Sequence, residues 1–218
     1  MVRPLHVAAA GALGYGLGSI PFGVLVGRLQ GGVDVREHGS RSMGTTNVFR
    51  TVGGRAGAST FCLDVSKGAV AVAAVRAAGG GDAVAVAGGL GAVVGHSWPC
   101  LAGFRGGKSI ATAFGTILVL APRAAACAVV GGLSALAATR VVSVGSLAAT
   151  TSAAAESVME LRRGRWAPAA FVVPAAVVIF YRHLPNLQRI RRGTEPTLDS
   201  LRLTGLKRSL STSSLRSR

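Results

Sequence analysis

Apolar residues do not alternate with polar ones along this chain; they run in blocks. Uncharged, largely apolar stretches occupy residues 4–27, 83–104, 109–122, 124–139, 141–155 and 166–181. A helix needs about 17–25 such residues to cross a bilayer, so each block predicts a helix in or through a membrane. A seventh helix is predicted over residues 56–78, where Asp64 and Lys67 interrupt the apolar run. Their spacing puts both on one helical face, where they can pair, and charges at membrane depth face a bundle interior or a cavity. The expected fold class is all-α: a polytopic membrane protein with about seven transmembrane helices.

Composition and charge sharpen this pattern. Of 218 residues, 50% are hydrophobic and only 15% charged, yet the net charge is +16. Ordinary globular chains carry about 25% charged residues, so the charge here is segregated into the segments between spans. Seven spans put the termini on opposite sides. With the N-terminus outside and the C-terminus cytoplasmic, the inner side collects 17 basic residues and the outer side six, as the positive-inside rule requires. Arg162, Arg163 and Arg165 oppose this orientation, partly offset by Glu156 and Glu160. The first block is too long, and followed by too many others, to be a signal peptide. Residues 1–195 are expected to form a single integral-membrane domain, and residues 196–218 a basic, Ser-rich, disordered tail near anionic headgroups. Nucleic acid is not an expected partner, because the basic residues are spread over loops without a recognition element. Cys62, Cys100 and Cys127 show no disulfide or zinc spacing and read as small buried hydrophobes.

In this topology the polar clusters at residues 39–50, 95–109, 139–146 and 182–195 fall on the same side of the membrane. In the second, Gly106-Gly107-Lys108-Ser109 directly precedes an apolar helix, which outlines an anion site of backbone N–H groups and one lysine. It nearly completes the pattern GxxxxGK[ST], but Ala102 stands at the first glycine and no strand precedes it. A phosphate-binding loop is expected rather than a nucleotide fold. Arginine is the default cation of this chain, with 21 against three lysines, so Lys108 reads as a chosen point charge; the alternative is a snorkelling interfacial lysine. In the first cluster Ser40, Thr46, Asn47 and Arg50 come together if residues 46–50 form a helical turn, and arginine can grip phosphate oxygens bidentately. Alone, such a loop is turn and cap chemistry.

Histidine placement excludes one mechanism. An acyltransferase dyad of the form His-x-x-x-x-Asp needs aspartate where this chain has Gly11, Met43, Leu101 and Gln188. No HExxH or related set offers metal ligands, and no metal or cofactor is expected. A small multi-pass transporter for an anionic or phosphorylated solute remains the alternative, since glycine-broken helices also mark substrate paths. The chain shows no internal repeat to support it.

Taken in order and spacing, the motifs resemble those of the PlsY family of bacterial acyl-phosphate glycerol-3-phosphate acyltransferases. The resemblance runs from about Ser19 to Glu195. It rests on Gly18-Ser19-Ile20-Pro21-Phe22-Gly23, Thr46-Asn47-Val48-Phe49-Arg50, Leu63-Asp64-Val65-Ser66-Lys67-Gly68, Gly95-His96-Ser97-Trp98-Pro99 with Gly106-Gly107-Lys108, the pair Ser143 and Ser146, and Arg182-His183 with Asn186 and Gly193-Thr194-Glu195. Arg41 and Ser42 depart from the family loop, and Arg41 replaces a glycine, which penalises any conformation with positive φ.

The resemblance implies transfer of a fatty acyl group from acyl phosphate to the sn-1 hydroxyl of glycerol 3-phosphate, giving lysophosphatidic acid at the cytoplasmic face of the bacterial inner membrane. Acyl phosphate, glycerol 3-phosphate and membrane lipid are then the expected partners. Ser40, Arg50, Lys108, His183 and Asn186 are the expected catalytic residues. Thr46, Asn47, Gly106, Gly107, Ser143, Ser146 and His96 are expected to bind substrate or phosphate, and Arg182 and Glu195 to brace the site. His183 is a candidate general base, and a substrate phosphate oxygen is the other. His96 reads equally as a cap or a pocket residue.

Overall fold

The computed structural model describes residues 4–198 and 200; these form ten α-helices joined by short loops and two 3-10 turns, with no strand among them. Each predicted apolar block is helical. The helices are α1 (Pro4–Gly18), α2 (Phe22–Gly31), α3 (Thr45–Thr51), α4 (Gly54–Ala77), α5 (Asp82–Ser97), α6 (Ile110–Leu120), α7 (Pro122–Thr139), α8 (Val142–Leu161), α9 (Ala167–Arg182) and α10 (Leu184–Arg191). Pro21, which lacks an N–H to continue the ladder, separates α1 from α2. Pro185 is harmless because it sits in the first turn of α10, where no intrahelical N–H bond is lost.

Small residues decide how the helices pack. α1 lies along α5, α4 along α6, and α8 along both α7 and α9. A Cβ on Gly14 would stand 2.0 Å from the Gly88 carbonyl oxygen, and one on Gly115 would stand 1.9 Å from that of Val65. Backbones this close gain dispersion contacts where lipid offers no hydrophobic drive. The core gathers around Phe171 with Val72, Val93, Ile117 and Ile179, while Leu13, Val130 and Val177 point outward. A wide apolar exterior is the mark of a surface made for lipid.

Among the described residues, four stretches are long and apolar enough to cross a membrane: Pro4–Gly31, Gly54–Ala77, Asp82–Ala102 and Pro122–Thr139. A fifth arises if α9 and α10, bent by 55° at His183, form one span. α6 has 11 residues, about 16 Å of helix, and falls short of a bilayer core by itself. The inward face of α4 is built from Gly57, Thr60, Asp64, Lys67 and Gly68, and Asp64 and Lys67 pair across 2.9 Å, as their spacing predicted. The same face turns Cys62 outward, so the expectation of buried cysteines fails: Cys62 and Cys100 are exposed and Cys127 partly so, all three as free thiols. The tail expected from residue 196 lies, at residue 199 and beyond residue 200, outside the described residues; Leu198 N–H donates to the Arg140 carbonyl at 2.8 Å.

Candidate active site

The loop before α3 is shaped from within. Asp34 caps a 3-10 turn by accepting from Arg36 N–H, and its carboxylate binds the Arg36 guanidinium through both oxygens at 3.0 and 2.7 Å. That side-chain pairing holds its carboxyl well below the usual carboxylate range against the opposing effect of burial. Arg36 also donates to the Ala102 carbonyl at 2.9 Å, which fastens this loop to the one after α5. At its centre Asn47 donates to the carbonyls of Val35, His38 and Ser42 and accepts from Ser40 N–H. Arg41 adopts φ +57°, the left-handed conformation that costs a side chain energy. α3 then carries Thr46 and Arg50 to the cavity wall.

A second loop runs from α5 to α6. Gly107 N–H donates to the His96 carbonyl at 3.0 Å, and Arg182 donates to the carbonyls of Gly106 and Gly107 at 3.0 and 2.9 Å. Ser109, at φ +60°, is pinned through its Oγ to Ser97 Oγ and the Val93 carbonyl, both at 2.7 Å. Lys108 projects between these anchors with no ion-pair partner among the described residues. Burial draws its pKa down to about 8, with neighbouring Arg189, Arg50 and Arg182 adding to the fall and Glu195 opposing it.

The third wall comes from α8 and α10. Ser143 Oγ hydrogen-bonds Glu195 and accepts from Asn186 Nδ2 at 2.8 Å. Asn186 also donates to Glu195 Oε1 at 2.6 Å, and Arg189 Nε donates to Oε2 at 2.7 Å. Burial alone would raise the Glu195 carboxyl; the hydrogen bonds from Ser143, Asn186 and Arg189 outweigh it and hold it below the usual range. His183, buried at the α9–α10 bend, places Nδ1 2.8 Å from the Ile179 carbonyl. An Nδ1–H donor there leaves Nε2 with a free lone pair.

Together these segments enclose a cavity of about 490 Å³, lined among others by Ser40, Thr46, Asn47, Arg50, Asp64, His96, Lys108, Ser143, Ser146, His183, Asn186 and Glu195. Glu195 is neutralised by Arg189 and Asp64 by Lys67. Arg50 and Lys108 are left without carboxylate partners among the described residues, and Arg50 Nε is buried without a hydrogen bond. Two uncompensated cations beside hydroxyls and amides make a site for an anion with several oxygens. An apolar groove of about 320 Å³ between α6, α7, α8 and α9 shares Phe61, Ile110, Val142 and Ser146 with the polar cavity. Among the described residues no His, Cys, Asp and Glu side chains cluster to hold a metal ion.

Most of the residues singled out in the sequence therefore converge, with two corrections. Gly107 cannot offer its N–H to a phosphate, because His96 takes it, and neither Gly106 nor Gly107 lines the cavity; both glycines serve close packing against α5. Asn47 borders the cavity but spends its amide on the loop backbone. Glu195 braces Arg189, while Arg182 serves the glycine loop instead. Arg189 and Phe61, and Thr194 from the quoted Gly193-Thr194-Glu195 motif, also line the cavity without having been given a role in the sequence, and the approach of Asp64 to His96 was not foreseen. Arg189 lies in a basic run that carries no local mark of a site.

Comparison with known proteins agrees with this geometry. The family model described as glycerol-3-phosphate acyltransferase matches residues 8–193. A glycerol-3-phosphate acyltransferase of Cereibacter sphaeroides is 44% identical over 195 residues, covering 89% of this chain and 90% of the relative. One of Myxococcus xanthus is 44% identical over 184 residues, covering 84% and 95%. The fold is similar to the crystal structure of PlsY, an integral membrane glycerol 3-phosphate acyltransferase, in its glycerol 3-phosphate form, with TM-score 0.82 and 32% identity over 90% of this chain and 98% of that one. The lysophosphatidic acid form of that protein gives TM-score 0.79 at 32% identity, over 89% and 96%.

Proposed function

The chain belongs to the glycerol-3-phosphate acyltransferase family of integral-membrane acyltransferases, and from that premise we propose that its acyl donor is acyl phosphate and its acceptor the sn-1 hydroxyl. The hydroxyl oxygen attacks the acyl carbonyl carbon, the bond from that carbon to the phosphate oxygen breaks, and lysophosphatidic acid and inorganic phosphate leave. The hydroxyl proton passes to His183 Nε2 or to an oxygen of the phosphate. Both reactants carry phosphate, and the observation that carries the reading is the pair of uncompensated cations, Arg50 and Lys108, in one polar cavity.

An acyl phosphate is a mixed anhydride with a good leaving group, so positioning and charge stabilisation suffice where a strong nucleophile would otherwise be needed. In this reading Lys108 and Arg50 hold phosphate oxygens and stabilise the departing phosphate. Ser40, Thr46, Ser143 and Ser146 orient the glycerol unit, Asn186 holds Ser143, and the groove that meets the cavity at Ser146 takes the alkyl chain. We place about seven membrane helices, the short α6 among them, in a bacterial inner membrane, with the N-terminus outside and the cavity facing the cytoplasm. The excess of basic residues on that side supports this orientation.

The test is to give the detergent-purified protein labelled glycerol 3-phosphate with acyl phosphate, acyl-CoA or acyl carrier protein thioester. Product from acyl phosphate alone is the expected result. Product from a thioester alone overturns the donor assignment, and a folded protein that makes none favours the transporter alternative.

A further inference from the structure

Asp64 and Lys67 take no part in the chemistry above, yet both are buried in the middle of α4, where charge is costly. Well-packed apolar residues in place of a buried ion pair are often as stable, so the pair is weak evidence for a stabilising role. Their contacts point elsewhere. Lys67 Nζ donates to the Ile20 carbonyl at 3.0 Å, at the break between α1 and α2, and lies 5.5 Å from the centre of the Phe22 ring. Asp64 Oδ1 lies 2.9 Å from Lys67 Nζ and 3.4 Å from His96 Nδ1.

The carboxylate faces Nδ1 at ion-pair range without a hydrogen bond to it, so the pair lies against one edge of the imidazole. The opposite edge of that ring meets the second loop: a Cβ on Gly107 would stand 2.1 Å from His96 Nε2. Gly107 is thus packed directly on the ring while its N–H is tied to the same residue's carbonyl. From the other side Arg182, 5.6 Å from the Trp98 ring centre, holds the two glycine carbonyls. Lys108 is the next residue, so the ring packs directly beneath the backbone that leads into the lysine.

We propose that Asp64 and Lys67 are positioning residues for acyl transfer, which act through the His96 ring on residues 106–108 and so hold Lys108 at the phosphate. The proposal rests on Lys108 being a phosphate ligand and adds that α4 keeps it in place. The test uses the full-length enzyme with acyl phosphate and glycerol 3-phosphate. Asp64→Asn with Lys67→Met removes both charges together and leaves neither unpaired.

That double variant is expected to keep a thermal midpoint within a few degrees of the parent while kcat/KM falls at least about tenfold. The descending limb of its pH profile should move above pH 8 as Lys108 gains water. In a Lys108→Ala background the same two changes should lower kcat/KM by less than about twofold, because groups acting through one another are not additive. His96→Asn should behave alike and decides the matter if the α4 variant does not fold. Unchanged kcat/KM in a folded variant, or a full tenfold loss with Lys108 already removed, overturns the proposal. Unchanged kcat/KM in Lys108→Ala alone would instead strike the parent reading.

Discussion

Two cations without carboxylate partners set the electrostatics of the cavity, and pH reaches them differently. The Arg50 guanidinium keeps its charge at any working pH. Lys108, with its pKa drawn down to about 8 by burial, is charged below that pH and neutral above it. Its grip on phosphate is therefore present near pH 7 and lost as pH rises through about 8. The profile of kcat/KM should fall above pH 8 by up to about tenfold per unit, and Lys108→Ala should remove that limb. Arg41 is a second residue with its own consequence. It holds φ +57°, which a side chain tolerates poorly, so Arg41→Gly should stabilise the protein by about 0.5–1 kcal/mol. A denaturation midpoint that falls would contradict this.

Among elements, the four helices around the groove perform a task separate from the loops. α6 to α9 leave an apolar trough that includes Ala149, Ala176 and Leu133 and opens at Ser146 into the polar cavity. Filling the trough should discriminate by chain length: Ala176→Phe is expected to raise KM for a long-chain acyl phosphate about tenfold, with KM for glycerol 3-phosphate unchanged. Equal effects on short and long donors would place the alkyl chain elsewhere. Element existence was legible because apolar blocks are long, and the helical turn that the first cluster needed over residues 46–50 is present as α3. The break at Pro21 and the end of α6 before Pro122 have local causes in proline, whereas the 55° bend at His183 carried no mark in the apolar pattern.

For the whole molecule, distance along the chain governs what could be read. Lys108, Arg50, Ser143 and His183 bear their chemistry on their faces, so their convergence in one cavity was foreseeable. The contact of Asp64 with His96, 32 positions away, and the loss of the Gly107 N–H to a backbone carbonyl were not. Both depend on how α4, α5 and the second loop stack, which residue type does not encode. Orientation is a property of the same scale. Cys100 is exposed beside the cavity loop, whereas Arg162 ends α8, about 28 Å of helix away from Ser143. In a variant whose sole cysteine is Cys100, a membrane-impermeant maleimide should react only from the cytoplasmic side; a sole cysteine from Arg162→Cys should react only from outside. The reverse pattern would turn the molecule over.

Binding of a phosphorylated reactant through two uncompensated cations is the property on which every role assigned to the cavity depends. Calorimetric titration of glycerol 3-phosphate into the purified protein tests that without relying on turnover. One ligand should bind per chain, with affinity falling at least about tenfold in Lys108→Ala and in Arg50→Ala, as expected when a charged hydrogen-bond donor to phosphate is removed. Binding of unchanged strength in both folded variants would contradict it.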